Sequence, residues 1–453
     1  MVESRAGVEL IKRLDSFPTW PWPFYYLIVI GLGYFFSLYD VLTLGVAAPI
    51  MGPQIGISAT TLAAEGTILA LIGYVIGAFT YSQIADKLGR RTGLTITLLS
   101  YSIGSLLTGI STIVLEVYVF RFITGIGIGA ELCVAAAYLS ELNPANVRGR
   151  YQSLATFFGF VGAGIGPFIG FLVIPAFSWG WRLFFIIGAL GAFTIIPIRF
   201  LLPESPRWLV KKGRIEEARK VISKLEAFWI KKHGSLPPLP QVDITLASED
   251  KPVPILNLLT DKRYSYRLIH AIVVFLLYYI FTYPFLALTT SLLAASGYTA
   301  VTSLFVTAMG GFGFALGAFL AFIFAESIQR KDLATILFVV EGLALIGISL
   351  LISVPEIIAS YFIFATANTF LVTILYVYMA EIFPTRARAT GGAFTDGLGH
   401  ITPVFMIPAV VYLFATNGFT VAYSILGAVA LITAVIMFFG IKTNKIILEH
   451  LAD

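Results

Sequence analysis

Charge and cysteine are what this chain has least of. Only 12% of its 453 residues are charged, against roughly 25% in an ordinary soluble domain, while 58% are hydrophobic. A water-soluble core of this length has no room for that much apolar surface, so lipid is the solvent for much of the chain. A single cysteine, Cys133, excludes an intrachain disulfide and any cysteine-based metal cluster. It stands inside an apolar run and reads as a packing residue. The four histidines form no metal constellation. No Walker lysine follows a glycine-rich loop, which argues against an ATP-driven motor. Gly125, Gly127 and Gly129 lie within an apolar span with no strand before them, which excludes a dinucleotide loop. No catalytic constellation, cofactor site or nucleic-acid surface is expected. Glu3, Glu9 and Asp15 interrupt the first 23 residues, so no cleavable signal peptide is expected there. Val8 to Phe17 reads instead as an amphipathic helix lying on a membrane surface.

What is present is a series of long apolar runs. A hydrocarbon core about 30 Å thick takes about 20 apolar residues per helix. With that window the sequence predicts an all-α membrane protein with twelve spans, near 24–49, 63–83, 94–112, 116–140, 151–174 and 183–202, then 266–291, 301–325, 332–353, 357–380, 390–413 and 420–440. The expected organisation is a cytoplasmic segment 1–23, a six-helix bundle 24–202, a cytoplasmic linker 203–264, a second bundle 265–440 and a tail 441–453. Lys and Arg collect on the cytoplasmic side of spans. Lys87, Arg90, Arg91, Arg148, Arg150, Arg330, Lys331, Arg386, Arg388, Lys442 and Lys445 all fall on one side, with Arg182 the main exception. Both termini are therefore expected in the cytoplasm. Within the linker, Ile215 to Lys232 reads as an amphipathic helix, broken by Pro237–Pro238–Leu239–Pro240, with a second short helix before Lys262.

The two halves repeat each other. Tyr138, Glu141, Pro144 and Arg148 recur as Tyr378, Glu381, Pro384 and Arg388, each displaced by 240 positions. Asp86, Arg90 and Arg91 recur at the same offset as Glu326, Arg330 and Lys331. Duplicated six-helix halves are a plan of secondary transporters, with the substrate site between the halves near the midplane.

The loop Ser82–Gln83–Ile84–Ala85–Asp86–Lys87–Leu88–Gly89–Arg90–Arg91 resembles the loop between helices two and three of the major facilitator superfamily. Arg121, Gly125, Gly127, Gly129, Glu131, Glu141, Arg148 and Gly149 resemble helix four of its sugar porters and of its phosphate and organic-ion symporters. Pro203–Glu204–Ser205–Pro206–Arg207–Trp208–Leu209 and Glu381–Ile382–Phe383–Pro384–Thr385 are similar to motifs of the same branches. Phe35 to Asp40 and Gly125 to Glu131 look closest to proton-coupled carriers of phosphate, aromatic acids and organic ions. The resemblance implies two pseudo-symmetric six-helix bundles working by alternating access. Helix seven departs from it, lacking both the paired glutamines of sugar porters and the acid of phosphate symporters. His400 stands where many organic-ion relatives have an arginine.

A charge at mid-bilayer is expensive, which makes each one a functional candidate. Asp40 and Glu131 are such residues, and burial disfavours the charged form of a carboxylate, so such a group can take up and release protons. Arg121 lies ten residues before Glu131, about 15 Å along the helix, and the two point about 80° apart. Arg121 is thus free to pair with Asp40, a pairing the resemblance also implies, leaving Glu131 as the proton carrier. A static polar network of the three is the alternative. In the second half the candidate substrate contacts are Tyr278, Tyr279, Tyr283, Asn368, Asp396 and His400. Glu341 reads as a structural polar contact. Asp86, Arg90, Arg91, Glu141, Arg148, Glu326, Arg330, Glu381 and Arg388 are expected to form a cytoplasmic gate, because orientation alone needs no acidic partners.

The reading is a secondary transporter in the cell membrane, acting as a monomer on a small organic solute and coupled to protons. An organic acid or other organic ion is the first choice, and a sugar or an uncoupled facilitator the alternative. A multiply charged anion is disfavoured, since only His400 is basic deep in the second half. A transporter-like nutrient sensor is the rival of another class, with only 203–264 and a tail of 13 residues after Gly440 to serve it.

Overall fold

The computed structural model describes residues 2–144, 146–239, 255–324, 327–350, 353–383 and 385–443, and side chains within these except at 2–5, 255–257, 262–263, 385–389 and 393. Among the described residues all regular structure is helical. A first helix, α1 (Val2–Asp15), precedes α2 (Phe24–Gln54), α3 (Ala59–Leu88), α4 (Arg90–Ile110), α5 (Val114–Leu142) and α6 (Arg148–Val173). The sixth span is α7 (Gly180–Ala189) continued through a 3-10 turn into α8 (Ile195–Leu201). Two helices follow outside the spans, α9 (Pro206–Lys211) and α10 (Ile215–His233), then α11 (Ile255–Thr260). The second set is α12 (Lys262–Ala295), α13 (Ala300–Phe324), α14 (Arg330–Leu350), α15 (Val354–Ile382), α16 (Thr385–Gly399) and α17 (Thr402–Phe438). Among the described residues eleven continuous stretches are long and apolar enough to cross a membrane. The last of them, Thr390–Phe438, turns back at Gly418, whose φ of +81° is open to glycine and strained for other residues, so it supplies two spans and makes twelve.

Local chemistry fixes the ends. Ser58 accepts a hydrogen bond from the Thr61 amide and caps α3. Ser205 does the same for α9 through the Trp208 amide, with Pro206 in the first turn. Glu204 accepts from the amides of Arg90 and Arg91 at 2.9 and 3.2 Å, placing a carboxylate on the positive end of α4. A Cβ at Gly89 would strike that carboxylate, which explains the glycine there.

The 240-residue repeat extends into the packing. Gly73 and Gly77 on α3 lie against the carbonyls of Phe122 and Ile126 on α5, closer than any Cβ would allow. Gly313 and Gly317 on α13 lie in the same way against Phe362 and Thr366 on α15. All four positions correspond at the offset, so both halves use small residues to bring their second and fourth spans together.

One expectation is corrected. The apolar face of α1 does not lie on a membrane surface. Ile11, Leu14 and Phe17 are buried, Phe17 packs on Trp229 with ring centroids 4.9 Å apart, and Arg13 pairs with Glu226 at 2.9 Å. The linker helix α10 presents its own apolar face to α1, and covering both at once removes more apolar surface from water than either could alone.

Candidate functional site

In the first half, Asp40 on α2 and Arg121 on α5 meet at 2.7 Å, Nη1 to Oδ2, with 0% and 2% of their side chains exposed. Arg121 also donates to the Asp40 carbonyl at 3.3 Å, and Ser105 on α4 donates to Asp40 Oδ1 at 2.6 Å. A buried pair held this way is costly to break from either side. Glu131, nearly three turns along α5 from Arg121, is also buried but meets no cation among the described residues; Ser37 on α2 donates to its Oε2. Gly33 leaves room for the carboxyl, since a Cβ there would approach Oε1 to 2.7 Å.

In the second half the six candidates divide. Tyr279, Tyr283, Asp396 and His400 come together. Asp396 Oδ1 accepts from the Tyr279 hydroxyl at 3.0 Å and from the Tyr376 hydroxyl at 2.7 Å. His400 Nδ1 lies 2.9 Å from the Asp396 carbonyl and 3.4 Å from its carboxylate. The rings of Tyr279 and Tyr283 approach His400 with centroids 4.4 and 5.7 Å away. Tyr74, from α3 in the other half, stacks on His400 at 5.0 Å and 11°. Tyr278 and Asn368 point elsewhere, into a buried group with Thr282 and Glu341. They differ because Tyr278 and Tyr279 are adjacent on one helix and so face different neighbours.

Tyr376 and Tyr74 are members that the sequence did not single out. Their spacing to Asp396 and His400 follows no helical period, and Tyr74 arrives only through docking of the two halves. Cys133 is corrected too. It is exposed rather than packed, and it lies near enough to Asp396 of the other half to interact electrostatically.

At the basic face, Arg90 bridges Asp86 and Glu141, the latter at 2.9 Å from Nη2 and 3.1 Å from Nε. The corresponding pair in the second half is Arg330 with Glu381, at 3.5 Å. Not every opposite charge on this face pairs with its nearest neighbour in sequence. Glu141 is taken by Arg90 and not by Arg148, which opens α6 beyond the intervening turn beside Arg207. Arg91 turns from Asp86 to the carbonyls of Arg199 and Leu202, at 3.3 and 3.4 Å. Glu326 and Lys445 lie outside the described residues, as do the side chains of Arg386 and Arg388. Arg182, on the opposite face, is held by the Gly109 and Ser111 carbonyls and the face of Trp181.

Contacts between the halves run from the middle of the spans to the face opposite the basic one. Tyr74 meets His400 near the middle, Gly45 on α2 lies against the Ala287 carbonyl of α12, and Gly164 on α6 faces Gly311 on α13. Phe168 packs on Phe312 and Phe171 on Phe305, at 5.4 and 5.3 Å. The ion pairs of the basic face, among the described residues, each stay within one half. Among the described residues no three His, Cys, Asp or Glu side chains form a group able to hold a metal ion.

Twelve spans in two repeats, with buried charges inside each, define a multi-pass membrane transporter of the major facilitator type. The chain belongs to the sugar (and other) transporter family, whose model matches residues 26–453. It is 30% identical to the putative metabolite transport protein YyaJ of Bacillus subtilis, over 96% of this chain and 95% of that one. It is 29% identical to the niacin transporter NiaP of Acinetobacter baylyi, over 98% of this chain and the whole of that one. Its fold is similar to that of the xylose transporter XylE from E. coli in a partially occluded inward-open conformation, with a TM-score of 0.74 and 19% identity over 93% of this chain and 98% of that one.

Proposed function

We propose that this chain carries a small organic solute across the cell membrane in symport with protons, an aromatic monocarboxylate being the first class of solute. The observation that carries the coupling is the division of labour among three buried charges. Arg121 is occupied by Asp40, so Glu131 is left without a cation in a low-dielectric setting where a proton is its natural partner. Asp40, Arg121 and Glu131 thus form the coupling group. The aromatic walls of Tyr74, Tyr279, Tyr283 and Tyr376, with His400 and Asp396 between them, suit a flat solute that stacks and takes one or two hydrogen bonds. The similarity to a niacin transporter supports the same class, niacin being an aromatic monocarboxylate. A sugar is the second reading, supported by the cluster of hydroxyl groups around Asp396.

The working unit is a monomer of two six-helix bundles, 24–202 and 265–440, joined by 203–264. Both termini and the basic face lie in the cytoplasm. The ion pairs described at the basic face each stay within one half, which supports a state open to the cytoplasm. The gate residues Asp86, Arg90, Arg91, Glu141, Arg148, Glu326, Arg330, Glu381 and Arg388 re-pair across the halves when the cavity closes inward.

The test is uptake into proteoliposomes of labelled nicotinate, benzoate, xylose and an organic cation, with and without an acid-outside pH gradient. Accumulation of nicotinate or benzoate only with the gradient supports the proposal. Equilibration of a solute regardless of the gradient makes the protein a facilitator.

A further inference from the structure

A further buried carboxyl in the spans belongs to neither the coupling group nor the cluster around Asp396. Glu341 sits mid-way along α14 with no exposed surface. Its Oε1 accepts from Asn368 Nδ2 on α15 at 2.9 Å, and the same amide reaches the Tyr278 and Thr282 hydroxyls of α12 at 3.1 and 3.3 Å. Its Oε2 is buried and has no hydrogen-bond partner among the described residues.

The groups that face it are few. From α12 the titratable one is Tyr278. From α15 it is met by neutral Asn368, while Glu356 and Glu381 are twelve or more residues off, about 18 Å along the helix. From α17, packed along α14, the buried Tyr423 donates its hydroxyl to Thr289 at 2.7 Å. On α14 itself Arg330, Lys331 and Asp332 lie nine or more residues away, about 14 Å.

Neither protonation state is satisfied here. A carboxylate would be a charge with no cation in reach, which is costly in a low-dielectric interior. A carboxylic acid would leave an O–H on Oε2 with no acceptor. A buried polar group half-satisfied in one state points to another state that satisfies it. Helix α12 supplies the link, because Tyr278 is followed by Tyr279, which bonds Asp396. Glu341 is not the repeat equivalent of Glu131, since the 240-residue offset pairs it with Tyr101, but both acids lie where spans of one half meet. Glu131 lies where the first and fourth spans meet, and Glu341 where the first, third and fourth spans of the second repeat meet.

We propose that Glu341 is a second proton-binding group of the transport cycle. It is protonated while α12 stands as described here. When the Tyr278 and Thr282 hydroxyls move, its O–H bond breaks and the proton passes to water admitted by that movement. The proposal rests on the proton-coupled reading above, and the two fail separately.

Infrared spectroscopy of the full chain in liposomes, titrated from acid to alkaline pH without solute, tests it. Wild type is expected to show a protonated-carboxyl C=O band that fades as pH rises, is lost in Glu341→Gln, and survives in Glu131→Gln. A band that Glu341→Gln removes but pH does not touch marks a fixed structural acid and overturns the proposal. So does a titrating spectrum that Glu341→Gln leaves unchanged. Should that variant lose the helical amide band, Glu341→Asp decides, since the titrating band must shift in frequency if it belongs to this residue and stay if it does not. Failure of the coupling reading appears elsewhere, as solute accumulation that survives Glu131→Gln.

Discussion

Arg121 Nη1 lies 2.7 Å from Asp40 Oδ2 at a place where neither side chain meets solvent. The pair ties α2 to α5, and Ser105 extends the tie to α4. Asp40→Asn leaves the Arg121 guanidinium buried without its counter-charge, at a cost of about 3–5 kcal/mol. The expected outcome is a lowered unfolding temperature together with loss of solute counterflow. Arg121→Lys keeps the charge but loses the fork that reaches both the Asp40 carboxylate and its carbonyl, so it is expected not to restore transport. Thermal unfolding of the purified variants and counterflow in proteoliposomes check both.

Cys133 is the chain's one cysteine and is exposed within electrostatic reach of Asp396 of the other half, so the protein carries its own accessibility probe. A membrane-impermeant thiol reagent is expected to modify it from the cytoplasmic side, in inverted vesicles, and much less in right-side-out cells. Bound solute is expected to slow the reaction. Mass spectrometry of the labelled chain reads the result, and equal labelling from both sides contradicts the assigned orientation.

Tyr376 and Tyr279 both donate to Asp396 Oδ1. A hydrogen bond to a charged group contributes about 1.5–3 kcal/mol. Tyr376→Phe is expected to raise the KM for uptake about tenfold, tenfold being 1.4 kcal/mol, and to lower the unfolding temperature modestly, since the bond is made in the folded protein itself. Tyr278→Phe lies outside this cluster and is expected to leave KM within about twofold, since its bond goes to Asn368. Initial-rate uptake over a range of solute concentrations distinguishes the two.

The glycines at equivalent positions of the two repeats make a paired prediction. Gly77→Ala and Gly317→Ala each push a methyl group into a backbone carbonyl of the neighbouring helix. Overpacking of this kind costs about 1–3 kcal/mol. Both variants are expected to lose stability by similar amounts, whereas Gly149→Ala, with open space around it, is expected to lose little. Unfolding temperatures in detergent measure this.

The spans and the repeat were legible because both are written locally. Twenty apolar residues need no partner to announce a span, and the 240-residue offset is carried by charged loop positions that no apolar run can disguise. The Asp40–Arg121 pair was legible for a related reason, as two opposite charges at mid-bilayer have few other partners. What depended on docking was hidden. Tyr74 joins the second half's cluster only because the halves meet at that level, and Tyr376 reaches Asp396 across two helices. Cys133 looked like a packing residue because an apolar helix can turn one narrow face to a cleft without changing its composition. Helix α1 looked like a membrane-surface helix because its apolar stripe says nothing of what covers it, and α10 turned out to do so. Glu141's choice of Arg90 over Arg148 depended on the turn between α5 and α6.

Glu131→Gln in proteoliposomes tests the central claim most directly. The variant keeps the shape of a protonated carboxyl but cannot release a proton. The account predicts that it loses gradient-driven accumulation and still exchanges labelled for unlabelled solute. Accumulation at the wild-type level under the same acid-outside gradient would contradict it, and would make Glu131 a fixed polar contact between α2 and α5.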